Sequence, residues 1–161
     1  SKLLGGWQAS GILYLRSGLP VTITQTQGVQ STGTANRPNR IGDGRAQNPT
    51  IDQWFDPSAF QAVPDTTGTY GTAGRGILRG PGQFNIDASL LKITRFGRFS
   101  HELRLEAFNL LNHPQFANPG GANATFGNAA FGQITAMLAN PSCALCGTVE
   151  RNVQVSMKLR F

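Results

Sequence analysis

Arg151-Asn-Val-Gln-Val-Ser-Met-Lys-Leu-Arg-Phe161 closes the chain, and its side chains alternate without a break. Val153, Val155, Met157, Leu159 and Phe161 fall on one side of a period-2 pattern. Asn152, Gln154, Ser156, Lys158 and Arg160 fall on the other. A strand has that period because successive side chains point to opposite faces of a sheet. A half-buried strand of a soluble sheet accounts for the alternation, but it does not need to run to a carboxyl-terminal aromatic.

A strand that is apolar toward lipid and polar toward a lumen accounts for both features, which is the pattern of a closing strand in an outer-membrane β-barrel. Three earlier segments have the same length and period. In Gly6–Arg16, Trp7, Ala9, Gly11, Leu13 and Leu15 alternate with Gln8, Ser10, Ile12, Tyr14 and Arg16, and the strand is expected to continue through Pro20 to Thr24. In residues 84–93, Phe84, Ile86, Ala88 and Leu90 oppose Asn85, Asp87 and Ser89. In residues 100–111, Leu103, Leu105 and Ala107 oppose Glu102, Arg104 and Glu106. Helix competes for this third segment because Glu, Leu, Arg and Ala favour helices. The charges at 102, 104 and 106 would smear around a helix but share one face of a strand, so strand is expected, with a slip of phase at Phe108-Asn-Leu-Leu111 that a bulge or the lipid–water boundary would explain. The fourth strand spans 150–161.

Composition agrees without deciding. Charged residues make up 14% of the chain, below the ~25% usual in soluble domains. The 20 glycines and 39% hydrophobic content suit alternating strands joined by polar loops, but also a soluble β-sandwich. The net charge of +6 comes from scattered bases that never form a run, so nucleic-acid binding is not expected. No segment approaches the ~20 apolar residues of a spanning helix, and barrel strands are too short and alternating for hydropathy to reveal.

The connections are uneven. Residues 94–99 make a tight turn, whereas 25–82 and 112–149 are long and rich in Gly, Asn, Pro and Thr. Outer-membrane barrels have short periplasmic turns and long extracellular loops, and long–short–long fits that alternation. Small elements are expected inside the loops, among them Phe131-Gly-Gln-Ile-Thr135 as a short strand. Four strands cannot close a barrel and would leave two bare edges, so these residues are expected to be the carboxyl-terminal piece of something larger.

Ordered motifs along the whole chain resemble a known family. Gly5-Gly-Trp-Gln-Ala-Ser-Gly-Ile-Leu13 and Ser17-Gly-Leu-Pro20 are similar to a late barrel strand of TonB-dependent receptors, closest to the Oar-like branch with its carboxypeptidase-regulatory-like domain. Asn36-Arg-Pro38, Gln53-Trp-Phe-Asp-Pro-Ser-Ala-Phe60, Gly74-Arg-Gly-Ile-Leu-Arg-Gly-Pro-Gly82, Leu105-Glu-Ala-Phe-Asn-Leu-Leu-Asn-His-Pro-Gln-Phe116 and Phe131–Thr135 follow in the family's order. The resemblance implies an all-β fold, the last four strands of an antiparallel transmembrane barrel of about 22 strands. It further implies energy-coupled uptake of an unknown ligand, with TonB acting through a plug domain outside these residues. Outer-membrane lipid and the barrel-assembly machinery, which would recognise a last strand ending in Phe161, are the other implied partners. Two other readings stand beside it: a non-transport surface protein (an adhesin or a secretion-linked barrel) and a soluble β-sandwich binding module.

Ligand contacts are expected in the loops, because binding residues concentrate on loops held by a rigid scaffold. Arg37, Arg40, Trp54, Phe55, Arg75 and Arg79 are the candidates. Cys143 and Cys146 form a lone C-x-x-C without the further ligands zinc requires, so a local disulfide is expected rather than a metal site. Asp87, Glu102, Arg104, Glu106, Lys158 and Arg160 are read as cross-strand ion pairs rather than catalytic groups. The glycines from Gly71 to Gly82 miss both nucleotide-loop spacings, and His101 and His113 are isolated, His113 marking a turn. No catalytic residue, cofactor or enzymatic activity is expected. Trp7, Phe96, Phe99 and Phe161 are expected to form an aromatic girdle at one membrane interface.

Overall fold

The computed structural model describes residues 4–26, 36–64, 68–139 and 150–161. Among these, every regular element is a strand or a short 3₁₀ turn, the latter at Pro57–Ala59 and Gly121–Ala124. The strands are β1 (Trp7–Arg16), β2 (Pro20–Val21), β3 (Thr24–Gln25), β4 (Asn39–Arg40), β5 (Phe60–Gln61), β6 (Leu78–Arg79), β7 (Gln83–Phe96), β8 (Phe99–Phe108), β9 (Thr125–Phe126) and β10 (Asn152–Arg160). The chain divides into two units. One comprises residues 1–16, 83–115 and 137–161, the other 17–82 and 116–136.

The first unit is an open antiparallel meander in the order β1-β7-β8-β10, with β1 and β10 at its edges. Its register sorts the side chains cleanly. One face carries the rows Gly11–Ala88–Ala107–Val153, Ala9–Leu90–Leu105–Val155 and Trp7–Lys92–Leu103–Met157, with Leu13–Ile86 and Leu15–Phe84 beyond them. The other carries Ser10–Ser89–Glu106–Gln154 and Gln8–Leu91–Arg104–Ser156. The apolar face is not a core: Leu15, Val155, Met157 and Leu159 are each more than 60% exposed. The polar face is not uniformly polar, since Ile12 lies opposite Asp87 and Ile93 opposite Glu102.

Strand ends depart from the sequence expectations for identifiable reasons. β1 stops at Arg16 instead of continuing to Thr24. A Cβ on Gly18 would lie 1.8 Å from the Gly80 carbonyl oxygen, so the chain must pass here as glycine, and Pro20–Val21 then pairs with Leu78–Arg79. Residues 94–99 are mostly strand. The turn is only Gly97-Arg98, with Gly97 at φ 57° and Phe96 opposite Phe99. Glycine at the first central position and an ordinary residue at the second is the type II′ hairpin pattern, whose twist suits the flanking strands. β8 stops at Phe108 rather than Leu111. Asn109 takes φ 51°, and Leu110 N–H, not Asn109 N–H, donates to the Ile86 carbonyl at 2.8 Å. One residue more on β8 than on β7 is a bulge.

The second unit contains the greater part of the long connections, 17–82 and 116–136. Their described residues are not structureless excursions, because both stretches fold around one core. Ile23, Phe55, Phe60, Ala73, Leu78 and Ala124 are buried, with Phe126 and Phe131 packed against them. Phe60, Phe126 and Phe131 meet at centroid distances of 5.8 to 6.0 Å, two of the three contacts being edge-on, the geometry the ring quadrupole favours. The two connections are joined by a parallel pair, Thr24–Gln25 with Thr125–Phe126, and by Trp54 N–H donating to Gly132 O at 2.8 Å. Phe131–Thr135 is not a strand. Phe131 N–H and Gln133 N–H close turns onto Asn128 and Ala130, and Gly132 sits at φ 82°.

Candidate functional site

Within the loop unit, short pairings aim a few side chains at one hollow. β2 pairs with β6 so that Val21 opposes Leu78 and Pro20 opposes Arg79. Period 2 then sends Leu78 into the core, 1% exposed, and Arg79 to the outside. An isolated bridge sets Arg45 opposite Phe55, and Asp56 N–H donates to Gly44 O at 3.0 Å. Trp54, next to the buried Phe55, is half-buried, and its indole N–H donates to the Arg79 carbonyl at 3.0 Å. Between them lies a pocket of about 320 Å³ lined by Arg45, Ala46, Pro49, Trp54, Phe55, Leu78 and Arg79.

That volume is at the lower end of the ~300–1,000 Å³ usual for small-molecule sites. The lining supplies two guanidiniums, an aromatic wall and no carboxylate, a combination suited to a ligand with an apolar or planar body and an anionic group. Arg79 Nη1 donates to Gly18 O at 3.1 Å, which fixes one edge of its guanidinium. Arg45 is held only loosely, 3.7 Å from Asp43 across an exposed surface.

Of the residues nominated from sequence, the structure brings Trp54, Phe55 and Arg79 to this pocket. Phe55, 1% exposed and 6.1 Å from the Phe131 ring, is foremost a core residue. Arg40 is engaged elsewhere, bonding Gly42 O, Asp43 O and the Asp43 carboxylate. Arg37 is half-buried and Arg75 exposed, and neither lines the pocket. Arg45 went unnoticed in the sequence, since an isolated base after Gly44 carries no local signal. Cys143 and Cys146, with the disulfide expected of them, lie outside the described residues.

The charged cluster on the sheet is a wall of weak pairs. Arg104 lies 3.6 Å from both Glu102 and Glu106, and Arg160 lies 3.6 Å from Glu102. Glu102 is thus served by the diagonal Arg160 rather than by Lys158 directly opposite. Asp87 is held by amides. It is 5% exposed, and its Oδ1 accepts from Asn85 Nδ2 at 2.9 Å and from Asn109 N–H at 2.8 Å. Asn109 in turn grips the His113 backbone, accepting from its N–H at 2.9 Å and donating to its carbonyl at 3.1 Å. Gln115 Oε1 accepts from Phe84 N–H and its amide donates to Phe84 O, while Asn112 Oδ1 accepts from Arg151 N–H at 3.0 Å. The family-like stretch Leu105–Phe116 is therefore a clamp that ends β8 and ties it to the starts of β7 and β10.

The outer membrane beta barrel domain family matches residues 1–154. The chain belongs to that family. It is an outer-membrane protein, and in such a barrel the apolar face of the sheet meets lipid and the polar face meets the lumen. No helix among the described residues is long and apolar enough to cross a membrane, which says nothing against crossing by strands. Searches of curated proteins and of solved structures return no match.

Proposed function

We propose that the protein is an energy-coupled receptor of the TonB-dependent, Oar-like type, in which these residues supply four strands of barrel wall and the two loops that meet the ligand. The observation that carries this reading is the joint folding of residues 17–82 and 116–136 into one unit with a pocket of its own. An inert loop needs no core, whereas a binding site needs side chains held by one. The motif order that resembles the receptors and the membership of an outer-membrane barrel family support the same reading. The ligand is an anionic small molecule with an apolar part, received by Arg45, Arg79 and Trp54; no covalent chemistry is involved.

The test is depletion of anionic solutes from the medium by cells with and without the protein, before and after collapse of the proton-motive force. Depletion should require both the protein and the energised inner membrane, and W54A/R79A should lower it at least tenfold at unchanged outer-membrane yield. Binding that persists without energisation and without depletion would point to a surface adhesin instead.

A further inference from the structure

The lipid-facing columns of the sheet contain a cation where only apolar groups are expected. Lys92 stands in the row Trp7–Lys92–Leu103–Met157, its Nζ 4.8 Å from the centre of the Trp7 ring and donating to the Gly5 carbonyl. Farther toward the tight turn, the Arg98 guanidinium sits 5.4 Å over the Phe99 ring. Every acidic residue of the four strands (Asp87, Glu102 and Glu106) belongs to the opposite face.

A lysine facing lipid is costly at mid-membrane and nearly free at the interface. The row of Lys92 therefore marks a boundary. From there to Phe84 is about 27 Å along the strand at ~3.4 Å per residue, or about 21 Å across the membrane at a tilt of ~40°. That is close to the ~25 Å apolar band of such barrels, whereas a band reaching down to Phe96 would be about 31 Å tall. The rows of Thr94–His101–Leu159 and Phe96–Phe99 then lie at headgroup depth, on the side that carries the short turn.

We infer that this foot of the sheet is a contact surface for anionic phospholipid. Lys92, steadied by Trp7, meets phosphodiesters at the acyl–headgroup boundary, and Arg98, steadied by Phe99, meets headgroups farther out. Two cations and, among the described residues, no acidic side chain on one lipid-facing surface discriminate by charge. The aromatic rings fix the depth at which they do so.

The experiment places the outer-membrane-purified protein in phosphatidylethanolamine vesicles containing phosphatidylglycerol. Spin-labelled versions of the two lipids report which is immobilised at the protein surface. Phosphatidylglycerol should be favoured about twofold or more, within the roughly fivefold that one well-placed cation can confer. K92Q/R98Q should abolish the preference and K92R/R98K should retain it. R98Q alone, a single change at an exposed turn position, should reduce it, so the inference stays testable if the double variant assembles poorly. Equal immobilisation of both lipids, or a preference that survives K92Q/R98Q or is untouched by R98Q, would overturn the inference.

Discussion

Asn109 does two things that no other residue type does as cheaply. It occupies φ 51°, and its side chain bonds both backbone groups of His113. Left-handed backbone costs an ordinary residue ~1–2 kcal/mol, and an emptied buried polar position ~1–3 kcal/mol. Asn109→Ala should therefore lose about 2–5 kcal/mol of stability, read from urea unfolding of protein folded into lipid vesicles, while Asn109→Gly should recover the conformational part alone. Phe55 and Trp54 are neighbours that differ in how deeply they enter the core. Phe55→Ala opens a cavity among Phe131 and its neighbours and should cost about 3–5 kcal/mol, seen as rapid proteolysis of the loop unit. Trp54→Ala removes a half-buried ring packed on the edge of the same core, so it should lower protease resistance less than Phe55→Ala does while also lowering solute depletion. Sequence alone assigned the two to one site because both are aromatic residues in a loop; which one points inward is decided by a bridge to Arg45 that is not visible locally.

At the scale of elements, the facing of strands is the testable matter. Leu105 lies on the lipid side, in the row Ala9–Leu90–Leu105–Val155, and Ser89 lies on the other. Arginine at position 105 should cost ~2–4 kcal/mol of folding stability in bilayers, whereas arginine at position 89 should cost little, and equal effects would mean the faces are misassigned. These strands were legible because the membrane imposes period 2 on each segment separately, so Val153 to Phe161 carries its own evidence. The boundaries were less legible. Gly18 ends β1 through contact with Gly80, and Asn109 ends β8 through bonds to Asp87 and His113, neither of which leaves a mark on periodicity. The loop unit was hidden more deeply. Ile23, Phe55, Leu78 and Phe131 are apolar residues scattered over more than a hundred positions, and only the folded chain shows them sharing a core.

For the whole molecule, the pairing of Thr24–Gln25 with Thr125–Phe126 and the bond from Trp54 to Gly132 mean that neither connection completes its fold alone. On the proposed function, ligand preference then cannot be transplanted one loop at a time. A chimera that receives only 17–82 from a homologue inherits half of a core: Phe60 without the Phe126 and Phe131 it packs against, and Phe55 without Phe131. Exchanging both segments together should yield a protease-resistant loop unit with the donor's ligand preference, whereas either exchange alone should give a barrel that assembles but binds neither ligand. Natural divergence of the core faces the same constraint: a change at Phe55 or Phe60 must be matched around Phe126 and Phe131, far along the chain, whereas Arg45, Trp54 and Arg79 at the pocket can vary within one stretch.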